Sequence, residues 1–91
     1  MAMPGFVLLV RDREDSDPLM RVGFTVTKKI GGAVVRNRMK RRFRALAQEI
    51  VSAKGVAGAD HVMIGRAKGV EREFGLLRSE LASALDRLLR P

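Results

Sequence analysis

The 91-residue chain has no cysteine, no tryptophan and no tyrosine, and its only aromatic side chains are four phenylalanines. Without cysteine there can be neither a disulfide nor a thiolate metal site, and the redox compartment is open beyond compatibility with cytoplasm, the expected location. A single histidine, His61, leaves little room for imidazole chemistry. Long apolar runs are missing too. The longest, Phe6 to Val10, is far short of the ~20 residues that cross a bilayer. The opening Met1-Ala2-Met3-Pro4-Gly5 lacks the basic start of a signal peptide, so none is expected. There are no internal repeats and no low-complexity tail. The most informative absence is local: from Lys28 to Arg44 there is no acid.

That stretch, KKIGGAVVRNRMKRRFR, holds eight cations in seventeen residues. The net charge of the chain is +8 and its pI about 11.3. Between Arg21 and Lys54 lie ten Lys or Arg and one acid, Glu49, whereas the remaining residues carry eight bases and nine acids. The whole excess therefore sits in one patch, which points to a polyanion: nucleic acid first, an anionic membrane surface second. A chain of this size makes one domain, spanning residues 1–91, of modest stability, on the order of 5–10 kcal/mol.

Hydrophobic patterning divides the chain into five elements. Phe6 to Val10 reads as a strand buried on at least part of both faces. Asp12 to Pro18, with four acids and a proline, is an exposed loop. Met20 to Thr27 alternates, with Val22, Phe24 and Val26 on one face and Gly23, Thr25 and Thr27 on the other. It is expected to be a half-buried strand antiparallel to the first across the acidic loop. After Gly31-Gly32 a helix runs from about Ala33 to Ala53, with an apolar stripe of Val35, Met39, Phe43, Leu46, Ala47 and Ile50, and ends at the glycines of 54–58. Asp60 to Arg66 is a further buried strand. A last helix is expected from about Val70 to Arg90, with Val70, Phe74, Leu77, Leu81, Leu85 and Leu88 inward. The order β-β-α-β-α predicts a two-layer α/β sandwich with one small sheet. Core packing is the expected role of all four phenylalanines.

On the first helix Arg36, Lys40 and Arg44 recur every four residues. Like charges at that spacing oppose helix formation by a few tenths of a kcal/mol per pair, and no acid relieves them. The row makes physical sense if a polyanion neutralises it; the plainer alternative is a solvated face. Arg36, Asn37, Lys40, Arg41 and Arg44 fall on one flank and the outer face, Arg38 and Arg42 on the other flank. Arginine predominates, and its planar fork grips phosphate bidentately. The Asn37 amide suits a base edge or sugar hydroxyl, or equally a hydrogen bond in the first helical turns. Gly31 and Gly32 beside Lys28 and Lys29 would let a phosphate approach a helix N-terminus, and equally suit a plain turn.

The same residues resemble the signature of the protein subunit of bacterial ribonuclease P, K-K-x-G-x-A-V-x-R-N-R-x-K-R-x-x-R. Lys28, Lys29, Gly31, Ala33, Val34, Arg36, Asn37, Arg38, Lys40, Arg41 and Arg44 fall on it, and the flanking strands resemble the family's as well. The resemblance implies binding to a large catalytic RNA that removes the 5′ leader of precursor tRNA with magnesium, the protein being no catalyst. Implied RNA-binding positions are Lys28, Lys29, Arg36, Asn37, Arg38, Lys40, Arg41 and Arg44. A cleft between sheet and first helix would take the single-stranded leader, with Val7, Leu9 and Thr25 as candidates; Leu9 stands where relatives often place an aromatic. The implied fold is an αβββαβα sandwich with a left-handed βαβ crossover, shared with a domain of a small-subunit ribosomal protein. This chain departs from it by starting at the strand after the family's basic N-terminal helix, which forms one wall of that cleft.

Other classes fare less well. Asp60, His61, Glu71 and Glu73 are the one cluster suited to metal binding or acid–base work, and each has a plainer structural role; no catalytic or metal-binding residue is assigned. A ribosome-bound protein of similar fold remains the alternative. DNA binding lacks a helix-turn-helix partner, since strands flank the basic helix. Membrane binding would need the apolar stripe that the core uses.

Overall fold

A computed structural model describes residues 1–89. Chain order is β1 (Phe6–Asp12), β2 (Arg21–Thr25), α1 (Ala33–Lys54), β3 (Ala59–Gly65), a 3-10 turn (Ala67–Gly69) and α2 (Phe74–Leu88). The expected β-β-α-β-α order and α/β class are as observed.

The expected pairing of β1 with β2 is not. The sheet order is β1-β3-β2, so the last strand occupies the middle. β3 runs antiparallel to β1, with Leu8 opposite Met63, and parallel to β2, with Phe24 opposite Met63. The physical reason lies in burial. β3 is the strand with the most continuous apolar cover, Ala59, His61 and Met63 being fully buried, and it takes the centre where both edges are paired. The acidic loop, read as a hairpin turn, instead spans a strand's width and is held by its own side chains. Asp12, Asp15 and Asp17 accept the backbone N–H of Glu14, Asp17 and Leu19. Met1–Met3 folds back along the outer edge of β1, where Leu8 N–H donates to Met1 O at 2.9 Å and Met3 N–H to Phe6 O at 2.8 Å. Nothing in so short a lead-in discloses this pairing in the sequence.

Both helices pack on one face of the sheet. Phe6, Leu8 and Met63 meet Met39, Phe43, Leu46 and Val51 of α1 and Leu77, Leu81 and Leu85 of α2 in one core. Phe6 and Phe43 meet edge to face at 5.9 Å between centroids, a geometry that adds about 0.5–1.5 kcal/mol to their burial. Phe24 and Phe74 are only partly buried but pack against the rim of this core, Phe24 beneath Arg44 and Phe74 beside Arg42 and Arg78, so all four rings pack in or against the core and two are fully buried.

The two helices run in the same direction. Their contacts advance in step, Glu49 with Arg78 and Lys54 with Asp86, and Arg38 earlier on α1 faces Glu71 in the connection before α2. α2 starts at Phe74, later than the periodicity suggested, because the chain first makes the 3-10 turn to cross the sheet end. There Gly69 crosses Gly5 so closely that a Cβ on Gly69 would lie 2.4 Å from the Gly5 carbonyl oxygen. Leu88, expected inside, is 41% exposed, since the core ends at Leu85. The expected helix end at Arg90 lies outside the described residues.

Candidate nucleic-acid interface

α1 begins without a side-chain cap and without an acid in its first turn. Its start rests on the extended Gly32, whose carbonyl accepts the Arg36 N–H at 3.0 Å. The buried stripe of Met39, Phe43, Leu46, Ala47 and Val51 fixes the helix's rotation, and the cations divide accordingly.

One flank turns toward α2 and is already occupied. Arg42 donates to the carbonyls of Val70 at 3.3 Å and of Arg72, reaches that of Gly69 at 3.5 Å, and lies 5.9 Å from the Phe74 ring centroid. It ties α1 to the connection before α2. Arg38, one turn earlier, faces Glu71 at 3.7 Å with both side chains largely in water, a pair worth little.

The other flank and the outer face are free. Lys28 and Lys29 are exposed in the turn before α1; Asn37, Arg41 and Arg44 are exposed along it, and Arg36 and Lys40 are half-buried. None of these cations has an acid within ion-pair distance among the described residues. The Nε of Arg36 is buried with no hydrogen-bond partner among the described residues. Arg44 lies against β2, its guanidinium 6.0 Å from the Phe24 ring centroid. The structure thus brings Lys28, Lys29, Arg36, Asn37, Lys40, Arg41 and Arg44 to one continuous surface. Arg38 lies on the opposite flank.

A second surface is the sheet face that carries no helix. Register places Val7 opposite Ile64, Leu9 opposite Val62 and Thr25 opposite Ile64. Val7, Leu9 and Thr25 therefore share one face with Val62 and Ile64, the face away from α1, so they do not line a cleft between the sheet and that helix as expected. Leu9 is 48% exposed and Val7 half-buried, while Phe6 and Leu8 on the other face are fully buried, so β1 is buried in part on both faces. At the end of this face Arg11, Asp60 and Arg21 stand in one row. Asp60 Oδ1 accepts from Arg21 Nε at 2.9 Å and Arg13 Nη1 at 3.3 Å. Partial desolvation raises the Asp60 carboxyl, but the bonds from Arg21 and Arg13 outweigh it and hold the group below its ordinary 3.8. The hydrogen bond from Arg13 likewise lowers Asp15.

The cluster of Asp60, His61, Glu71 and Glu73 does not assemble. Asp60 and His61 are neighbours on a strand and face opposite sides of the sheet. His61 is fully buried, its Nε2 accepting the Val56 N–H at 3.0 Å and its Nδ1 lying 3.3 Å from the Arg21 carbonyl. That pattern requires the neutral ring with the proton on Nδ1. Among the described residues no group of three or more metal-ligating side chains converges. Sequence reasoning missed the tether of Arg42 and the bond from Arg66 to the Met3 carbonyl at 2.8 Å. The helical wheel gave Arg42 its flank, but the carbonyls it meets come from an irregular connection with no sequence signature.

Comparison with known proteins agrees with this geometry. The ribonuclease P family model matches residues 1–89. The ribonuclease P protein component of Erythrobacter litoralis is 56% identical over 87 residues, covering 96% of this chain and 70% of that protein. That of Paramagnetospirillum magneticum is 41% identical over 90 residues, covering 96% and 68%. Among solved structures, the RNase P protein of Thermotoga maritima superimposes with a TM-score of 0.78 at 30% identity, over 96% of this chain and 80% of that one. The Staphylococcus aureus protein gives 0.79 at 25%, over 98% and 79%. An uninterrupted cationic surface on this α/β frame, with relatives matched over nearly the whole chain, places the chain in the ribonuclease P protein family.

Proposed function

We propose that α1 lays its free cationic surface on the catalytic RNA of ribonuclease P while the helix-free sheet face receives the single-stranded 5′ leader of precursor tRNA. The family assigns the chain to the non-catalytic protein component of that ribonucleoprotein. The observation that carries the residue-level reading is the division of the arginines: Arg42 is spent on backbone carbonyls, whereas Lys28, Lys29, Arg36, Lys40, Arg41 and Arg44 have no acidic partner among the described residues.

Each set of residues has its own role in this reading. The cations neutralise phosphates and release counterions, with Arg36, Arg41 and Arg44 offering bidentate forks. Asn37 offers an amide to a sugar or base edge. Arg38 joins the same surface by giving up its weak contact with Glu71. On the sheet, Val7, Leu9 and Thr25 form a low-relief floor for bases, and Arg11 and Arg21 flank it. Magnesium belongs in this scheme to the RNA, which performs the cleavage. The aspartates of 12–17 are committed to their own turn. The site of action is the cytoplasm, where tRNA precursors are processed; no helix among the described residues is long and apolar enough to cross a membrane.

The test is reconstitution with a bacterial ribonuclease P RNA at low magnesium. The chain is expected to raise cleavage of precursor tRNA and, when freed of RNA, to cleave nothing alone. Robust cleavage by RNA-free protein would refute the reading.

A further inference from the structure

α1 packs beside β2, yet the helix layer leaves β2 less covered than β3. Val22 and Phe24 point into the helix layer, yet Val22 is 37% exposed and Phe24 only partly buried. Between this edge strand and α1 lies an open groove of about 400 Å³. Met20, Val22, Phe24, Ala47 and Val51 give it an apolar floor and wall. Its polar lining is limited to the Arg44 guanidinium, the Gln48 amide and the Ser52 hydroxyl, and no acid borders it.

Position matters as much as composition. Arg44 is at once the last member of the Arg36–Lys40–Arg44 row and a wall of the groove, with its guanidinium over Phe24. The groove therefore opens directly off the cationic surface. It is on the opposite side of the sheet from Val7, Leu9 and Thr25, because Phe24 and Thr25 point to opposite faces of β2. An occupant must be flat and apolar in body and must carry a negative charge at one end. It must also tolerate hydrogen-bonding groups along one edge. An acidic peptide fits the charge but not the slot beside an aromatic ring; a nucleotide fits all three requirements.

We propose that this groove receives one unpaired nucleobase of the RNA held by the basic row, an inference that rests on the RNA-binding reading above. The base lies on Phe24 and Val22, and Arg44 swings from the ring to the adjoining phosphate. Gln48, whose amide offers both a donor and an acceptor, meets the base edge, and Ser52 closes the far end. Successive members of the row rise about 6 Å along the helix, so a strand following it delivers its next base at Arg44. Aromatic stacking tolerates any base, while Gln48 supplies what preference there is.

NMR resolving the methyl and backbone amide signals of the full chain tests this, with adenosine 5′-monophosphate and inorganic phosphate as separate probes and the basic row read from its amides. The nucleotide is expected to move the Met20, Val22 and Val51 methyl signals upfield by ring current, and phosphate to move only signals of the basic row. Ser52→Phe, which fills the groove from an exposed position, should abolish the methyl response and leave the row's response intact. If that variant folds poorly, Gln48→Ala should weaken the methyl response in its place. In parallel, hexaadenylate should bind about fivefold or more tighter than an abasic hexamer of equal charge, and Ser52→Phe should bring the ratio close to one. Silent methyls with a responding row overturn the groove and leave the RNA-binding reading standing. Equal methyl shifts with phosphate and nucleotide, or equal affinity for the two hexamers, also overturn the groove. If neither the row nor the methyls respond to any probe, the RNA-binding reading fails with it.

Discussion

Arg41 and Arg42 are neighbours in sequence and should fail in opposite ways. In Arg42→Ala, the carbonyls of Val70 and Arg72 lose a charged donor in a partly buried setting, and the Phe74 ring loses one of its two cations while keeping Arg78. Hydrogen bonds to charged groups contribute about 1.5–3 kcal/mol each, and an exposed cation–π contact about 0.5–1 kcal/mol. The contact to Gly69 O at 3.5 Å is at the limit of a hydrogen bond and adds little. Water will reach part of the vacated space, so the net loss is taken as about 2–4 kcal/mol. A domain of this size shifts its melting temperature by about 4–8 °C per kcal/mol, which corresponds to a drop of roughly 8–32 °C. Arg42→Lys should recover only part of it, since an ammonium cannot fork between two carbonyls. Arg41→Ala removes an exposed side chain with no partner among the described residues, so its stability should stay within about 0.5 kcal/mol of the parent. Its cost falls on RNA: the slope of log affinity against log salt should shrink by about 0.7–0.9. Urea unfolding and a salt series of RNA binding measure both quantities on both variants. If Arg42→Ala is as stable as Arg41→Ala, the assignment of Arg42 to the fold is wrong.

Further outcomes can be checked separately. With five or six phosphates neutralised, RNA affinity should fall with a salt slope of roughly −4 to −5, and Arg36→Ala should reduce it as Arg41→Ala does; a salt-insensitive affinity would contradict this. Gly69→Ala forces a Cβ onto the Gly5 carbonyl and should destabilise by about 2–3 kcal/mol in a thermal melt, as overpacking does. His61→Leu leaves the Val56 N–H and the Arg21 carbonyl without their partner and should lose about 2–4 kcal/mol in a urea titration. Asp60 and Asp15 have lowered folded-state pKa values. Their stabilisation is complete above the unfolded value near 3.8 and disappears as pH falls through the lower folded value. The stability gap between the parent and Asp60→Asn should therefore be constant at neutral pH and close only below about pH 4.

The local periodicities of this chain are strong, and the elements they predict are present. The stripe from Val35 to Ile50 set the rotation of α1 correctly because six positions vote on a helical face. That rotation already separated Arg42 from Arg41. What periodicity cannot give is the identity of neighbours across the sheet. Val22, Phe24 and Val26 alternate in the same way whether β2 pairs with β1 or with β3, and the acidic loop suits a hairpin or a wider crossing. The Gly5–Gly69 contact and the carbonyls that receive Arg42 also depend on segments far apart in sequence. The cationic surface was legible because charge needs no partner to be seen; the groove beside Arg44 was not, since it exists only through the way α1 packs beside β2.

The central position of β3 also has a temporal consequence. Every hydrogen-bonded strand pair of this sheet includes a residue between Ala59 and Gly65. Until that segment leaves the ribosome, β1 and β2 have no mate, and the apolar stripe of α1 has no sheet to rest on. Both pairings then close loops of tens of residues, a topology that folds more slowly than one built from hairpins. During synthesis the basic row therefore emerges ahead of the sheet that will position it, on a helix whose apolar side is still uncovered. RNA that engages the nascent row would meet an unfolded partner, and a chain stopped short of Ala59 would keep the charge without the scaffold that orients it.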